Sequence, residues 1–390
     1  MQVMKQILLS LFIISFFCCT TRERVQIDAD TLTIEMDFDK TTSIHNMDIV
    51  DSIDILRLDN SVLLGQVKKV IRYRNYLYLF DGMTNTVAVY DAKGNLIKKI
   101  ADIGQGPEEY LQPTDIFINQ KENVLGIVSG VDRKLMKYDL DNFNLKAIER
   151  MPKNFWSFVN TENGYAGYMN NLIDDKPFNL WTMSQTLKLT NSFLEFPTSW
   201  SSNASGNIHP FSTYRGNTHH IQQRDFNVYS VDGNNIRIAY LFDLGKRTWP
   251  ASITEYEDVE QIIKSSPDQY VRYLYMFQET QNYLIIKTVF NGKSLLGIYD
   301  KKSKISQVAE MNAYTDKYFI SFGNIVGMDE NAIYTLVDAR RVKRNIIGKN
   351  EYADFESMYP IGVKNLREKF KDIVIEDDDN PFLIIHYFNK

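Results

Sequence analysis

A stretch reading strand, turn, strand recurs along this chain at a spacing that few architectures can use. In "VAVYDAKGNLIKKI" (87–100) alternating apolar positions run into Ala-Lys-Gly-Asn and then into a second alternating run, the pattern of a half-buried hairpin. "LMKYDLDNFNLKAIER" (135–150) repeats it, with Tyr138-Asp139 standing 48 residues after Tyr90-Asp91. "VYSVDGNNIRIAYLF" (228–242) puts Asp232 93 residues beyond Asp139, close to two periods, and "LGIYDKKSKISQVAE" (296–310) puts Asp300 a further 68 on. The surplus in that last interval is occupied by "TEYEDVEQIIKSSP" (254–267). Thr254 and Glu257 have capping-box spacing there, Tyr256, Val259, Ile262 and Ile263 share one helical face, and Pro267 ends the run. A helix near 254–264 is therefore inserted into one repeat, packing its stripe on the sheet; a second is expected near 363–371.

Each period also holds a strand pair upstream. "KVIRYRNYLYLFDG" (69–82) turns at Arg74-Asn75, and "TDIFINQKENVLGIVSG" (114–130) turns at Gln120–Asn123. "MFQETQNYLIIKTVFNG" and "NIVGMDENAIYTLVDA" do the same near Gln281 and Glu330. Four short antiparallel strands per period of about 45 residues are the signature of a propeller blade. The expected fold is all-β, a six-bladed β-propeller of four-stranded antiparallel blades at about 67–100, 114–150, 154–195, 208–242, 270–310 and 322 to the end. The sixth unit lacks outer strands nearby. "PFLIIHYF" (381–388) is expected to supply one and "SIDILRLD" (52–59) the outermost, so that both chain ends close the ring and remove two open edges.

Residues 101–113 must then lead from the rim of blade one to the centre of blade two, which a two-residue turn cannot do. Gly104 and Gly106 are expected to take positive φ at the reversals, and Pro107 fixes φ after Gly106. Tyr110 packs between blades, and Pro113 precedes the inner strand, where its missing N–H does little harm. This link, "GQGPEEYLQPTDIFI", resembles the Gly-x-Gly-Pro-x-Glu-Tyr…Pro…Ile link of the six-bladed β-propeller lipoproteins of Gram-negative bacteria, related in plan to NHL-like and TolB-like propellers. The hairpin 87–100, "YLFDLGKRTWP" (240–250) and "DDDNPFLIIHYFNK" (377–390) carry the same resemblance. It implies an exported, membrane-tethered propeller and assigns neither a reaction nor a set of site residues.

The N-terminus agrees. Lys5 precedes an eleven-residue apolar run, "ILLSLFIISFF" (7–17), too short to span a bilayer but fitting the core of an export signal. The only two cysteines, Cys18 and Cys19, follow it. A signal ending in Cys resembles a bacterial lipoprotein signal, whose cysteine is acylated, and Cys19, with small Cys18 before it, is the better acceptor. The alternative is an ordinary secretory signal cut nearby. The expected organisation is a signal peptide at 1–18, a tether at 19–30 and the propeller at 31–390, in a cell-envelope protein facing the periplasm or in the outer membrane. The mature chain keeps no cysteine for an internal disulfide, so its stability must come from its core. A formal charge of −5 provides no basic footprint for nucleic acid.

Catalytic signals are weak. There is no Gly-x-Ser-x-Gly elbow, and the five histidines (His45, His209, His219, His220, His386) form no metal-binding spacing. His219 and His220 are neighbours and face opposite sides of a strand, whereas His209 and His219 could meet across a hairpin. Some propeller hydrolases hold calcium at the channel mouth, and Glu108, Glu109, Asp115 and Asp132 are the candidates for such a site; they come from one link and one blade, against a requirement of six to eight oxygens. "IEDDDN" (375–380) reads as a solvated acidic turn. Four tryptophans, Trp156, Trp181, Trp200 and Trp249, invite a sugar-stacking role. Trp200, in the polar stretch "PTSWSSNASGN", is the one to test, and Arg72 could line the channel or sit in a buried ion pair. The chain is thus expected to be a membrane-tethered binding or interaction module without a cofactor, its partner an envelope protein or a glycan. Its alternatives are a metal-dependent hydrolase or lyase at the central channel and a structural envelope scaffold.

Overall fold

The computed structural model describes residues 25–44, 49–201, 203–204, 208–250, 255–266, 268–311, 323–349 and 354–389. Cys19, the signal peptide and His45 lie outside them. Three strands come first: β1 (Gln26–Glu35), β2 (Thr41–Ser43) and β3 (Val50–Leu56). Blade one then runs β4 (Val67–Tyr73), β5 (Tyr76–Asp81), β6 (Thr86–Asp91) and β7 (Leu96–Ile100). Blade two is β8 (Asp115–Asn119), β9 (Val124–Ser129), β10 (Lys134–Asp139) and β11 (Leu145–Arg150). Blade three is β12 (Ser157–Asn160), β13 (Tyr165–Tyr168), β14 (Phe178–Met183) and β15 (Leu189–Glu195). Blade four is β16 (Phe211–Tyr214), β17 (Asn217–His220), β18 (Asn227–Asp232) and β19 (Asn235–Asp243). After helix α1 (Tyr256–Ser265), blade five is β20 (Met276–Glu279), β21 (Tyr283–Phe290), β22 (Lys293–Asp300) and β23 (Ile305–Glu310).

Blade six joins the chain ends. β24 (Asn324–Met328) and β25 (Ala332–Val337) are followed by helices α2 (Ala339–Ile347), α3 (Phe355–Met358) and α4 (Pro360–Lys369) and then by β26 (Phe382–Phe388). The sheet order is β24-β25-β26-β3, with Ile384 opposite Ile55 and His386 opposite Ile53. The fold is the all-β six-bladed propeller expected. The closing strand sits slightly earlier than 52–59, and Asp59 instead turns the chain, its carbonyl accepting a hydrogen bond from the Asn380 amide at 2.9 Å.

The repeating Asp has a local cause. At the third-to-fourth strand hairpin, Asp91 accepts backbone N–H bonds from Lys93 and Asn95, Asp139 from Asp141 and Asn142, and Asp300 from Lys302 and Ser303. Each carboxylate stands in for a turn carbonyl. The preceding tyrosines, Tyr90, Tyr138 and Tyr299, are buried. The apolar residues gather into one cluster per junction between neighbouring blades, closing a circle, with a seventh beneath the helices against blade six. Each blade therefore buries both faces, and none could stand alone.

Four details depart from the expectation. β1 and β2 add fifth strands, pairing parallel to β19 and β23, and β1 begins inside the segment 19–30 read as tether. Helix α1 has Glu255 at its N-cap with no side-chain cap; Thr254 lies outside the described residues. Neither Gly104 nor Gly106 has positive φ. They are glycines because the Glu109 carboxylate folds back over them, accepting from the Gly106 N–H at 2.8 Å, and a methyl group on Gly104 would overlap it. Tyr110 packs in the junction of blades one and two as expected, its hydroxyl on the Asn85 carbonyl at 3.2 Å.

Candidate functional site

The six inner strands, β4, β8, β12, β16, β20 and β24, surround an axial cavity of about 1030 Å³. All six run toward the same face, where their hairpin turns form a mouth. Arg74, Gln120, Arg215, Gln281, Asn282, Glu330 and Asn331 from these turns line it. Toward the other end His209, just before β16 of blade four, lies beside Lys68 on β4 of blade one, the blade diametrically opposite, so its ring reaches across the channel. Its backbone N–H donates to the Tyr275 carbonyl at 2.8 Å. Burial, with the nearby Lys69 and Lys287 ammoniums, pushes His209 down to about 3, so its ring is neutral. The channel is a well narrowed at that end by the His209 ring.

Two of the cations in its wall are matched by carboxylates. Lys69 Nζ lies 2.8 Å from Asp115 Oδ1, and Asp115 Oδ2 accepts from the Phe158 N–H at 3.1 Å and from the Ser157 hydroxyl. This chain stitches the inner strands of blades one, two and three. At the mouth, Arg74 is held by Asp141 at 2.6 Å and Asn123 at 2.8 Å. Arg72 differs: its Nη1 donates to the Tyr387 hydroxyl at 3.0 Å and its guanidinium lies 5.5 Å from the Tyr387 ring centre. Opposite it, exposed Arg215 stacks on Tyr214 at 5.1 Å.

The candidate residues are not gathered. Arg72 is in the well, but Trp200 follows β15 on the face opposite the mouth, where Arg224 stacks on it at 4.1 Å. Of the carboxylates considered for calcium, Asp115 lines the inner strands, Glu109 folds onto its own link, Glu108 is exposed and Asp132 sits in the β9–β10 turn beside Ser129 and Lys134. The four do not converge, because the link that carries two of them runs along the rim. Among the described residues no group of three or more His, Cys, Asp or Glu could hold a metal.

The adjacent histidines of β17 pack into aromatic clusters. His219 packs on Tyr240 and Phe277, and His220 on Tyr168, Phe211 and Tyr229, the two sides of β17. His219 faces Ser212 across the hairpin, so it does not pair with His209. The turn 375–380 is a fastener: Asp379 accepts from Arg57 at 2.9 Å, and buried Asn380 bonds to the Val62 carbonyl at 2.8 Å. Sequence reading missed the partners of Arg72, since Tyr334, Tyr387 and Asp54 come from chain ends that only ring closure brings beside β4.

Comparison with known proteins follows the fold. The family described as "Domain of unknown function (DUF4934)" matches residues 29–387. No curated protein matches the chain. Among solved structures, a candidate exported protein of Bacteroides fragilis superposes with a TM-score of 0.72 at 17% identity, over 92% of this chain and 100% of that one. A member of the DUF4221 family from Bacteroides vulgatus gives a TM-score of 0.50 at 10% identity, over 87% of this chain and 97% of its own. At these identities the likeness is one of fold.

Proposed function

The chain belongs to the DUF4934 family, whose description leaves its role open, and we propose that it is an exported, membrane-tethered propeller that binds a small polar ligand in the axial well. The observation carrying this reading is the well itself: a cavity of about 1030 Å³, walled by all six inner strands and rimmed by amides, guanidiniums and the Glu330 carboxylate. That size is at the upper end of small-molecule pockets, about 300–1,000 Å³. Amide side chains supply paired donors and acceptors suited to hydroxyl-rich ligands. The rigid ring holds these groups in place, so little ordering cost falls on binding.

Export and tethering rest on the leader, with its short apolar run and Cys19, and on the likeness to the candidate exported protein. The arrangement does not favour a hydrolase, since the carboxylates considered for a metal point to separate places. Thr213, exposed in the wall of the well, provides the test. Thr213→Trp should fill the mouth and abolish binding of a saccharide that wild-type protein retains in calorimetry, with the melting temperature unchanged. Retained binding would sink the reading. For the anchor, Cys19→Ser should move the protein from the membrane fraction to the soluble one.

A further inference from the structure

We propose that Arg72 anchors a carboxylate, so that the ligand of the well is an acidic saccharide; this rests on the reading of the well as the binding site. Arg72 extends from β4 into the wall, flanked by two phenols. Tyr387 accepts from Nη1 at 3.0 Å, and the Tyr334 hydroxyl lies close by. Neither hydroxyl has a proton to spare. Tyr387 donates to Asp54 Oδ2 at 3.2 Å and Tyr334 to Asp329 Oδ2. Asp329 is itself fixed by the Asn331 and Ala332 N–H groups at 2.7 and 2.9 Å. The Tyr387 oxygen can therefore only accept from the guanidinium, and both phenols are fixed by a supporting shell that reaches back to two carboxylates.

Among the described residues, no carboxylate lies within ion-pair distance of Arg72. Its neighbours in the wall differ, Lys69 having Asp115 and Arg74 having Asp141. A guanidinium has five donors in a rigid fork that fits a carboxylate bidentately, and Tyr387 occupies only one of them. A charge oriented at the side of a large cavity, with donors unspent, is what a receptor for a planar oxyanion requires. The surrounding amides Gln120, Asn160, Gln281, Asn282 and Asn331 suit the hydroxyls of the same ligand.

Arg72 also joins blade one to blade six, so the test must separate an anchor from a staple. Calorimetry on the full chain would compare trigalacturonate with its uncharged counterpart galactotriose. Wild type should bind the acid about tenfold or more tighter. Arg72→Met should erase that preference by weakening the acid far more than galactotriose, and Arg72→Lys should restore only part of it. Tyr387→Phe, which frees the guanidinium without removing it, should weaken the acid alone by a few fold. Equal affinity of wild type for both sugars, or equal weakening of both by Arg72→Met, would overturn the proposal. If both sugars still bind Thr213→Trp, the well is not the site and the underlying reading fails; if neither binds wild type, both fail.

Discussion

Lys287, on β21, carries an ammonium buried between blades five and six whose only hydrogen bond among the described residues is to the Ile325 carbonyl at 3.4 Å. Burial pushes it down from 10.5 to about 8. The unfolded chain therefore holds this proton more tightly than the folded one, so the full penalty applies below pH 8 and lifts as pH rises toward 10.5. Lys287→Met should stabilise the protein at pH 7 by about 2–3 kcal/mol, an advantage that shrinks by pH 10 in urea titrations. Gly104 makes a second case. Gly104→Ala should destabilise the wild type by about 1 kcal/mol, the worth of the Glu109–Gly106 hydrogen bond it displaces, but cost little beside Glu109→Ala, a coupling that a double-mutant cycle would read. The sequence marked this link as a corner correctly and gave its glycines the wrong reason. Residue type signals that a side chain is not tolerated, but whether φ or a folded-back carboxylate forbids it depends on contacts that the type does not encode.

At the level of elements, the hairpins were legible because their determinants are local. Asp139 and the N–H groups it accepts from lie within three residues of one another, so a reader of sequence sees the whole device. Asp139→Ala should cost about 1 kcal/mol, measurable as a lower urea midpoint with unchanged slope. Helix α2 was legible but overlooked: Asp338 caps it, accepting from the Arg340 N–H at 2.9 Å, and Gly348 ends it in the left-handed region at φ 78°. β1 and β2 were not legible. A parallel edge strand has no turn to announce it, and its partner is fixed only once the ring has formed; Gln26 sits opposite Arg237, and Thr41 opposite Val308. The wall around Arg72 was hidden for the same reason.

For the whole molecule, the histidines set the response to acid. Burial pushes His209, His220 and His386 down to about 3 and His219 to about 4. Their folded values lie below the unfolded one of about 6.5, so the stability linked to them is intact above pH 6.5 and is lost as pH falls toward 4. Buried Asp225 and Asp329 are raised by desolvation and act with the opposite sign. The net expectation is a urea midpoint that drops steeply between pH 6.5 and 4, with His386→Gln flattening the drop. A flat profile would mean that the histidines are hydrated.

The polarity of β1 carries a consequence for orientation. Because it runs parallel to β19, with Gln26 beside Arg237 and Glu35 beside Asp243, the polypeptide enters the ring at the rim of the mouth, not at the end that His209 narrows. From Cys19 to Gln26 the backbone can stretch at most about 25 Å. With Cys19 acylated, the aperture would be leashed close to the bilayer surface and would sample molecules from the layer next to the lipid. A lipid-borne quencher should then dim a fluorophore on Glu330 more than one on Asn291, and the reverse order would refute this geometry.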